Sequence, residues 1–343
     1  MKISIVIPDL LLPQPPGGRL DRYQDLRLPD LEYWFARGII RRGPGCGLEA
    51  WLLQRFGIEN VLPVAAYSRL ADGGAPDSAY WLRADPAHLQ AQRDQLVLVD
   101  GAMLAITADE AGALTTTLNQ HFAQDKLRFI FAHPARWYIA LDTAPTLATH
   151  ALPSVAGRAI NDCLPSGADS LRWNQFINEA QMLLHAHPVN QAREVQGQAA
   201  INSIWLWGGG VAQAVKQTEW DGVWADDTLA RGLARAAQTE VHALPKHAPA
   251  FLAEAKTGDA HLLVLDGLRH AAWYGDDAAW RAGLARLEAD WIKPLTQALR
   301  RGSVAEITLH AVSEQGCLTV TSKRARRWQF WRRGKSLKHY LPE

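Results

Sequence analysis

The chain has 343 residues, 48% of them hydrophobic and 21% charged, which is apolar material for a core of two-domain size and too much for a disordered polymer. Its 36 Lys and Arg against 35 Asp and Glu leave a net charge of +1, so bulk charge does not make it a polyanion binder and any such role has to be local. Cys46, Cys163 and Cys317 are far apart with no C-x-x-C spacing, which speaks against a thiolate metal site or a disulfide framework and for a reducing, cytoplasmic setting.

The first apolar run, residues 3–7, is broken by Pro8 and Asp9. It is too short for a signal-peptide core or a membrane span and reads as a buried strand. A Pro/Gly-rich loop follows at residues 11–18, and the carboxyl end of a strand is where open α/β sheets place their sites. Asp9 is therefore the first carboxylate positioned for a metal or a polar ligand. Pro29 opens a helix that stops at Gly38, residues 43–47 form a turn cluster, and residues 48–56 form a second helix ending at Gly57.

Near Trp81 the texture changes. A strand at 96–99, a helix at 107–122 and strands at 127–131 and 137–141 make a small α+β module. The amphipathic helix within residues 151–187 puts Trp173, Phe176, Ile177, Ala180 and Leu184 on one face. The strand at 202–207 runs into Gly208, Gly209 and Gly210, which reads as a tight turn at a sheet edge. Strands at 222–225, 240–244 and 261–265 then alternate with helices at 228–237 and 277–299. That alternation implies a mostly parallel sheet with helices on both faces, built from residues 1–80 and 196–343 and interrupted by an α+β domain at 81–195.

Charge is unevenly placed. Residues 321–343 carry eight cations, Lys323, Arg324, Arg326, Arg327, Arg332, Arg333, Lys335 and Lys338, against Glu343, so this segment is +7 and the remainder −6. Basic residues among Trp328, Phe330, Trp331 and Tyr340 are one way to bind nucleic acid by phosphate contacts and stacking. The alternation of Leu318, Val320, Trp328 and Phe330 with polar residues instead favours a half-buried terminal strand pair with a solvated basic face. The 14 tryptophans read as core and interface fillers.

Three constellations carry possible chemistry. His185, His187, Asn190 and Arg193, followed by Asn202, suit an anion, because a guanidinium forks onto carboxylate or phosphate while an amide fixes orientation. The glycine triplet is neither G-x-G-x-x-G nor followed by a Walker lysine. Asp266 and His270, after the most apolar strand, are placed either to bind a metal with Asp9 or to leave Asp266 paired with Arg269.

The run His187-Pro188-Val189-Asn190, Arg193, Gly197, Ile201-Asn202 and then Trp207-Gly208-Gly209-Gly210 resembles the archaeal-type cofactor-independent phosphoglycerate mutases. Leu28-Pro29-Asp30-Leu31, Ala36-Arg37-Gly38, Gly47-Leu48-Glu49-Ala50, Ala230-Arg231-Gly232-Leu233-Ala234, Gly275-Asp276 and Leu287-Glu288 follow in family order. Asn161 to Gly167 and Trp328 to Arg333 are similar to a proteobacterial subgroup of RpfE-type regulatory proteins. The resemblance implies an alkaline-phosphatase-like α/β core with a smaller α+β insert. It also implies phosphoryl transfer through a phosphoserine beside two divalent ions held by Asp and His.

Asp9 matches the first metal aspartate, but Leu10 stands where the family has Gly. The segment expected to carry the nucleophilic serine is missing between Arg42 and Gly47, and no Asp-His dipeptide occurs in the chain. A two-ion cluster is not held by one carboxylate beside arginines. The expectation is a phosphoglycerate-mutase-like protein without the metal-dependent nucleophile, acting as a regulatory or small-anion-binding protein. Arg136, His187, Asn190, Arg193 and Asn202 are its expected ligand residues, facing a small anionic or phosphorylated ligand, with a protein partner possible and no membrane or cofactor. Asp9, Asp266 and His270 would hold Mn or Zn only in the alternative, an active mutase or phosphatase. Nucleic-acid binding through the basic tail is the third reading.

Overall fold

Strand β1 (Lys2–Pro8) lies between two parallel neighbours, which is why its apolar residues run consecutively rather than alternating. The computed structural model describes residues 1–14, 21–59, 61–92, 94–324 and 334–341. After β1, the helix Pro29–Arg37 begins with Pro in its first turn but without a capping side chain of its own. Its free amides are taken by the buried Glu288, whose carboxylate accepts from Asp30 N at 2.7 Å and Leu31 N at 3.1 Å. Strand β2 (Ile39–Gly43) and the helix Leu48–Arg55 follow.

The chain divides into two compact units, Met1–Ile58 with Val215–Glu343, and Glu59–Ala214. The second unit is the inserted domain, and it is longer than the change of texture at Trp81 suggests. Its sheet contains β3 (Tyr80–Gln92), β4 (Gln95–Asp100), β5 (Arg128–His133), β6 (Arg136–Leu141) and β7 (Ser203–Gly210), every pairing antiparallel. β7 pairs along one side of β3, so the segment after residue 195 belongs to this sheet. The helix Val64–Ala71 also belongs here, because Ala65 and Ala66 pack with Trp81 and Tyr138.

The glycine triplet is part of β7 rather than a turn at a sheet edge. A side chain at Gly209 would run into the Tyr80 hydroxyl, and one at Gly210 would come to 2.5 Å from Pro63 Cβ. Close backbone packing therefore explains these glycines. The opposite sheet face is covered by the helices Ala108–His121 and Ser170–His185, which bury Leu114, Leu118, Trp173, Phe176, Ile177, Ala180 and Leu184. The face read from the 3.6-residue period is the buried one.

Back in the first unit, β8 (Gly222–Trp224), β9 (Glu240–His242), β10 (Ala260–Val264), β11 (Glu306–Ser313) and β12 (Gly316–Lys323) complete a seven-stranded sheet in the order β2-β12-β11-β1-β10-β8-β9. The five strands from β11 to β9 are parallel, and β12 and β2 continue the sheet antiparallel. Ile5, Leu263 and Leu309 face a core with Leu31, Trp34, Trp280, Leu284 and Leu295. On the other face His310 meets Trp51 of the helix Leu48–Arg55, ring centroids 4.9 Å apart. Helices thus cover both faces of a mainly parallel sheet, as expected.

The last long helix is two helices, Asp277–Leu287 and Lys293–Arg301, joined by a π-turn at Glu288–Ile292. Pro294 has no N–H to donate, and the widened turn accommodates its ring. In the basic segment, Lys323 pairs with Glu306 and Lys338 with Asp21, each at 2.6 Å. Arg326, Arg327, Arg332, Arg333, Trp328, Phe330 and Trp331 lie outside the described residues. Among the described residues no helix is long and apolar enough to cross a membrane.

His310 supplies a pH test of this packing. Burial, assisted by the Arg55 charge, pushes its imidazole down to about 3, and Nδ1 lies 3.1 Å from Thr319 Oγ1. A histidine that binds protons less readily folded than unfolded leaves stability intact above about pH 6.5 and erodes it as pH falls toward 3, by about 5 kcal/mol in full. Urea unfolding of the wild type is expected to show about 3 kcal/mol of that loss between pH 7 and pH 4, and His310→Gln to flatten it.

Candidate functional site

The segment around His187 is built from groups that bind the protein itself. His187 caps the helix Pro188–Val195, its Nδ1 accepting from Val189 N at 3.1 Å, so the ring proton sits on Nε2, 3.0 Å from Thr117 Oγ1. Burial lowers its pKa and keeps it neutral. Asn190 donates to Leu184 O at 2.7 Å and Ile201 O at 2.8 Å and accepts from Ile201 N at 2.7 Å. Asn202 pairs with both backbone groups of Leu89, at 2.8 and 3.1 Å. Arg193, 2% exposed, donates to Ala199 O at 2.8 Å, Glu110 Oε1 at 2.9 Å and Leu104 O at 2.5 Å.

Arg136 is likewise engaged. Its guanidinium forks onto Asp72 at 2.7 and 3.0 Å, and Tyr138 donates to the same carboxylate at 2.6 Å. All five expected ligand residues are thus bonded to other groups of the insert, and these bonds hold its helices, loops and strands together. Motif spacing shows that an Asn or Arg is present, whereas its partners, 6 to 113 residues away, are set by the fold. The groove that His187 does line, about 760 Å³ beside Met182, Leu183 and Pro188, also has Glu179 and His121 in its wall, with no Lys or Arg among the residues that line it.

The other set of candidates lies at the carboxyl edge of the core sheet, where β1, β10 and β8 end side by side. Asp9 follows β1 with φ +56°, and its carbonyl accepts from Trp280 Nε1 at 2.9 Å. Asp266 follows β10 and is half-buried, whereas His270 is exposed against Trp273, ring centroids 5.0 Å apart. Among the described residues no group of three or more His, Cys, Asp or Glu is arranged to hold a metal, and this includes Asp9, Asp266 and His270, the trio that the alternative reading would need.

What fills this edge is Arg269. It is buried, donates to Glu49 Oε1 at 2.5 Å, lies 3.9 Å from Asp227 Oδ2, and packs its guanidinium 4.8 Å from the Trp273 ring centroid. Asp227 caps the helix Thr228–Ala236 through Ala230 N at 2.8 Å. Burial and the neighbouring Asp266 push its carboxyl up to about 6, against the pull of Arg269. Burial likewise raises Asp266. Arg269 does interact with Asp266, whose carboxyl it pulls down and whose carbonyl accepts from Arg269 N at 3.0 Å. Its side-chain contacts also reach Glu49, 220 residues away, and Asp227. The signal available for these two was modest: an acidic pair, Asp226-Asp227, at a strand end, and one Glu in a short helix.

This donor set does not fit a two-ion centre. A dication about 4 Å from a guanidinium is repelled by about 8 kcal/mol even at an effective dielectric of about 20, and arginine does not relieve this by deprotonating. The site is a carboxylate ring already neutralised in part by a fixed organic cation.

A family model of the 2,3-bisphosphoglycerate-independent phosphoglycerate mutases matches residues 76–190, a stretch inside the insert. The curated mutase of that name from Methanosarcina acetivorans is 28% identical over 232 residues, 63% of this chain and 57% of that protein. Its counterpart from Methanosarcina mazei is 28% identical over 225 residues, 62% and 56%. The chain thus spans somewhat over half the length of the curated relatives it matches. The PH0037 protein of Pyrococcus horikoshii superposes with a TM-score of 0.56 at 14% identity, over 94% of this chain and 87% of that one, which establishes a shared fold. In sequence the chain is similar to the cofactor-independent phosphoglycerate mutases, and in fold it is an α/β sheet protein with an α+β insert.

Two substitutions test these roles. Arg269→Met strands Glu49 and Asp227 without a counter-charge and is expected to cost about 3–5 kcal/mol in urea unfolding at pH 8, with Glu49→Gln in the same chain recovering much of it. Asn190→Ala leaves the Ile201 N–H and two carbonyls without their partner and is expected to cost about 2–4 kcal/mol. A change below about 0.5 kcal/mol would remove Asn190 from its bracing role.

Proposed function

We propose that this is a phosphoglycerate-mutase-like protein, of the family's archaeal type, that does not run two-ion phosphoserine chemistry and acts as a regulatory or binding protein. The observation that carries the reading is the buried Arg269 bonded to Glu49 at 2.5 Å and facing Asp227 at 3.9 Å. Divalent ions would polarise phosphoryl oxygens and activate a hydroxyl, and a guanidinium in their place does neither for a serine. It supplies positive charge that its own carboxylates neutralise. The resemblance to RpfE-type regulatory proteins agrees with a role in which the retained scaffold presents a surface to a partner protein, in the cytoplasm, rather than turning over a phosphate ester.

Purified full-length protein, incubated with Mn and Zn and then dialysed, is expected to retain substoichiometric metal and to show no interconversion of 2- and 3-phosphoglycerate above a metal-free blank. Stoichiometric Mn or Zn together with turnover would overturn the proposal in favour of an active mutase or phosphatase.

A further inference from the structure

The two core cysteines, far apart in sequence, meet in the fold. Cys317 stands in β12 opposite Gly43 of β2 and Val312 of β11. Cys46 is drawn to the same place by its backbone N–H, which donates to Ser313 O at 2.9 Å. The sulfurs are 2.9 Å apart and both side chains are half-exposed. A disulfide requires about 2.05 Å between sulfurs, so a sub-ångström approach closes the bond. Cys317 also lines a cavity of about 260 Å³ with Arg42, Gly316, Leu318 and Tyr340, which gives a small reagent access and offers its carboxylates a cation.

We propose that Cys46 and Cys317 are a redox-active dithiol, oxidised to an intramolecular disulfide by a low-molecular-mass, carboxylate-bearing disulfide entering beside Arg42. Cys317 is the attacking thiol. The Cys46 S–H donates to its sulfur and lowers it to about 6, while the same interaction and burial push the Cys46 thiol up. The Cys317 thiolate attacks one sulfur of R–S–S–R, forming a mixed disulfide and releasing RS⁻. Cys46 then gives up its proton and attacks the Cys317 sulfur, forming the Cys46–Cys317 bond and releasing the second thiolate. The two protons lost by the cysteines end on two RSH, so the protein is oxidised by two electrons and the small disulfide is reduced by two. The bond ties the connection between β2 and the helix Leu48–Arg55 to the β11–β12 hairpin, and Glu49 lies three residues beyond Cys46. The inference rests on this geometry and not on the functional reading above.

The test uses the reduced full-length chain and oxidised glutathione as probe, followed by alkylation and non-reducing peptide mapping. The expected result in the wild type is a linked peptide pair carrying Cys46 and Cys317, reversed by dithiothreitol, while Cys46→Ser halts at glutathione on Cys317. At pH 6 Cys317 is expected to alkylate about tenfold faster than an unstructured cysteine peptide, a larger thiolate fraction outweighing its lower intrinsic nucleophilicity. Both thiols still alkylatable after exposure, or glutathione accumulating on Cys46 or Cys317 of the wild type without the linkage, would overturn the proposal. A Cys317 rate equal to the peptide's would overturn its role as the attacking thiol.

Discussion

Arg269 keeps its proton at any accessible pH, and burial makes its charge expensive unless carboxylates surround it. Glu49 and Asp227 meet that demand from two different helices, one before the insert and one after it. The ion pair therefore has two effects. It joins elements that are remote in the chain, and it occupies the carboxyl edge of the parallel sheet, where such folds place ligands. Any reading of function has to begin from an edge that already holds its cation, where burial first and the neighbouring Asp266 second raise Asp227 to about 6 against the pull of Arg269.

The insert uses buried polarity in the same way but for bracing. Asp85 is fully buried, with the Arg83 guanidinium forked onto it at 2.7 and 2.9 Å and Trp207 Nε1 donating at 2.7 Å. Arg83 itself is flanked by the Tyr138 and Trp207 rings, at 5.3 and 5.1 Å. Together with Arg193, Asn190 and Arg136, these residues satisfy their donors internally, which is what a water-poor interior requires of them. The His, Asn and Arg side chains of the 187–202 segment brace the insert through these bonds.

The dithiol adds a different kind of coupling. The hairpin that carries Cys317 and the turn that carries Cys46 converge beside the strand ends that present Asp9, so oxidation would act on the edge where Arg269 and Glu49 sit rather than at a distance. Gly45 makes this convergence possible, because a side chain there would collide with the backbone of Glu314.

Periodicity and breakers in the chain were enough for the parallel core, the buried first strand, the helical face of Trp173, Phe176 and Leu184, and the presence of an insert, because these depend on local spacing and on which face turns apolar. The extent of the insert, the strand character of the glycine triplet, the partners of Arg136, Asn190 and Arg193, the Glu49–Arg269–Asp227 cluster and the meeting of Cys46 with Cys317 were decided by tertiary structure. Each of these depends on groups tens to hundreds of residues apart, and the identity of a polar side chain states how many hydrogen bonds it can make without stating with what.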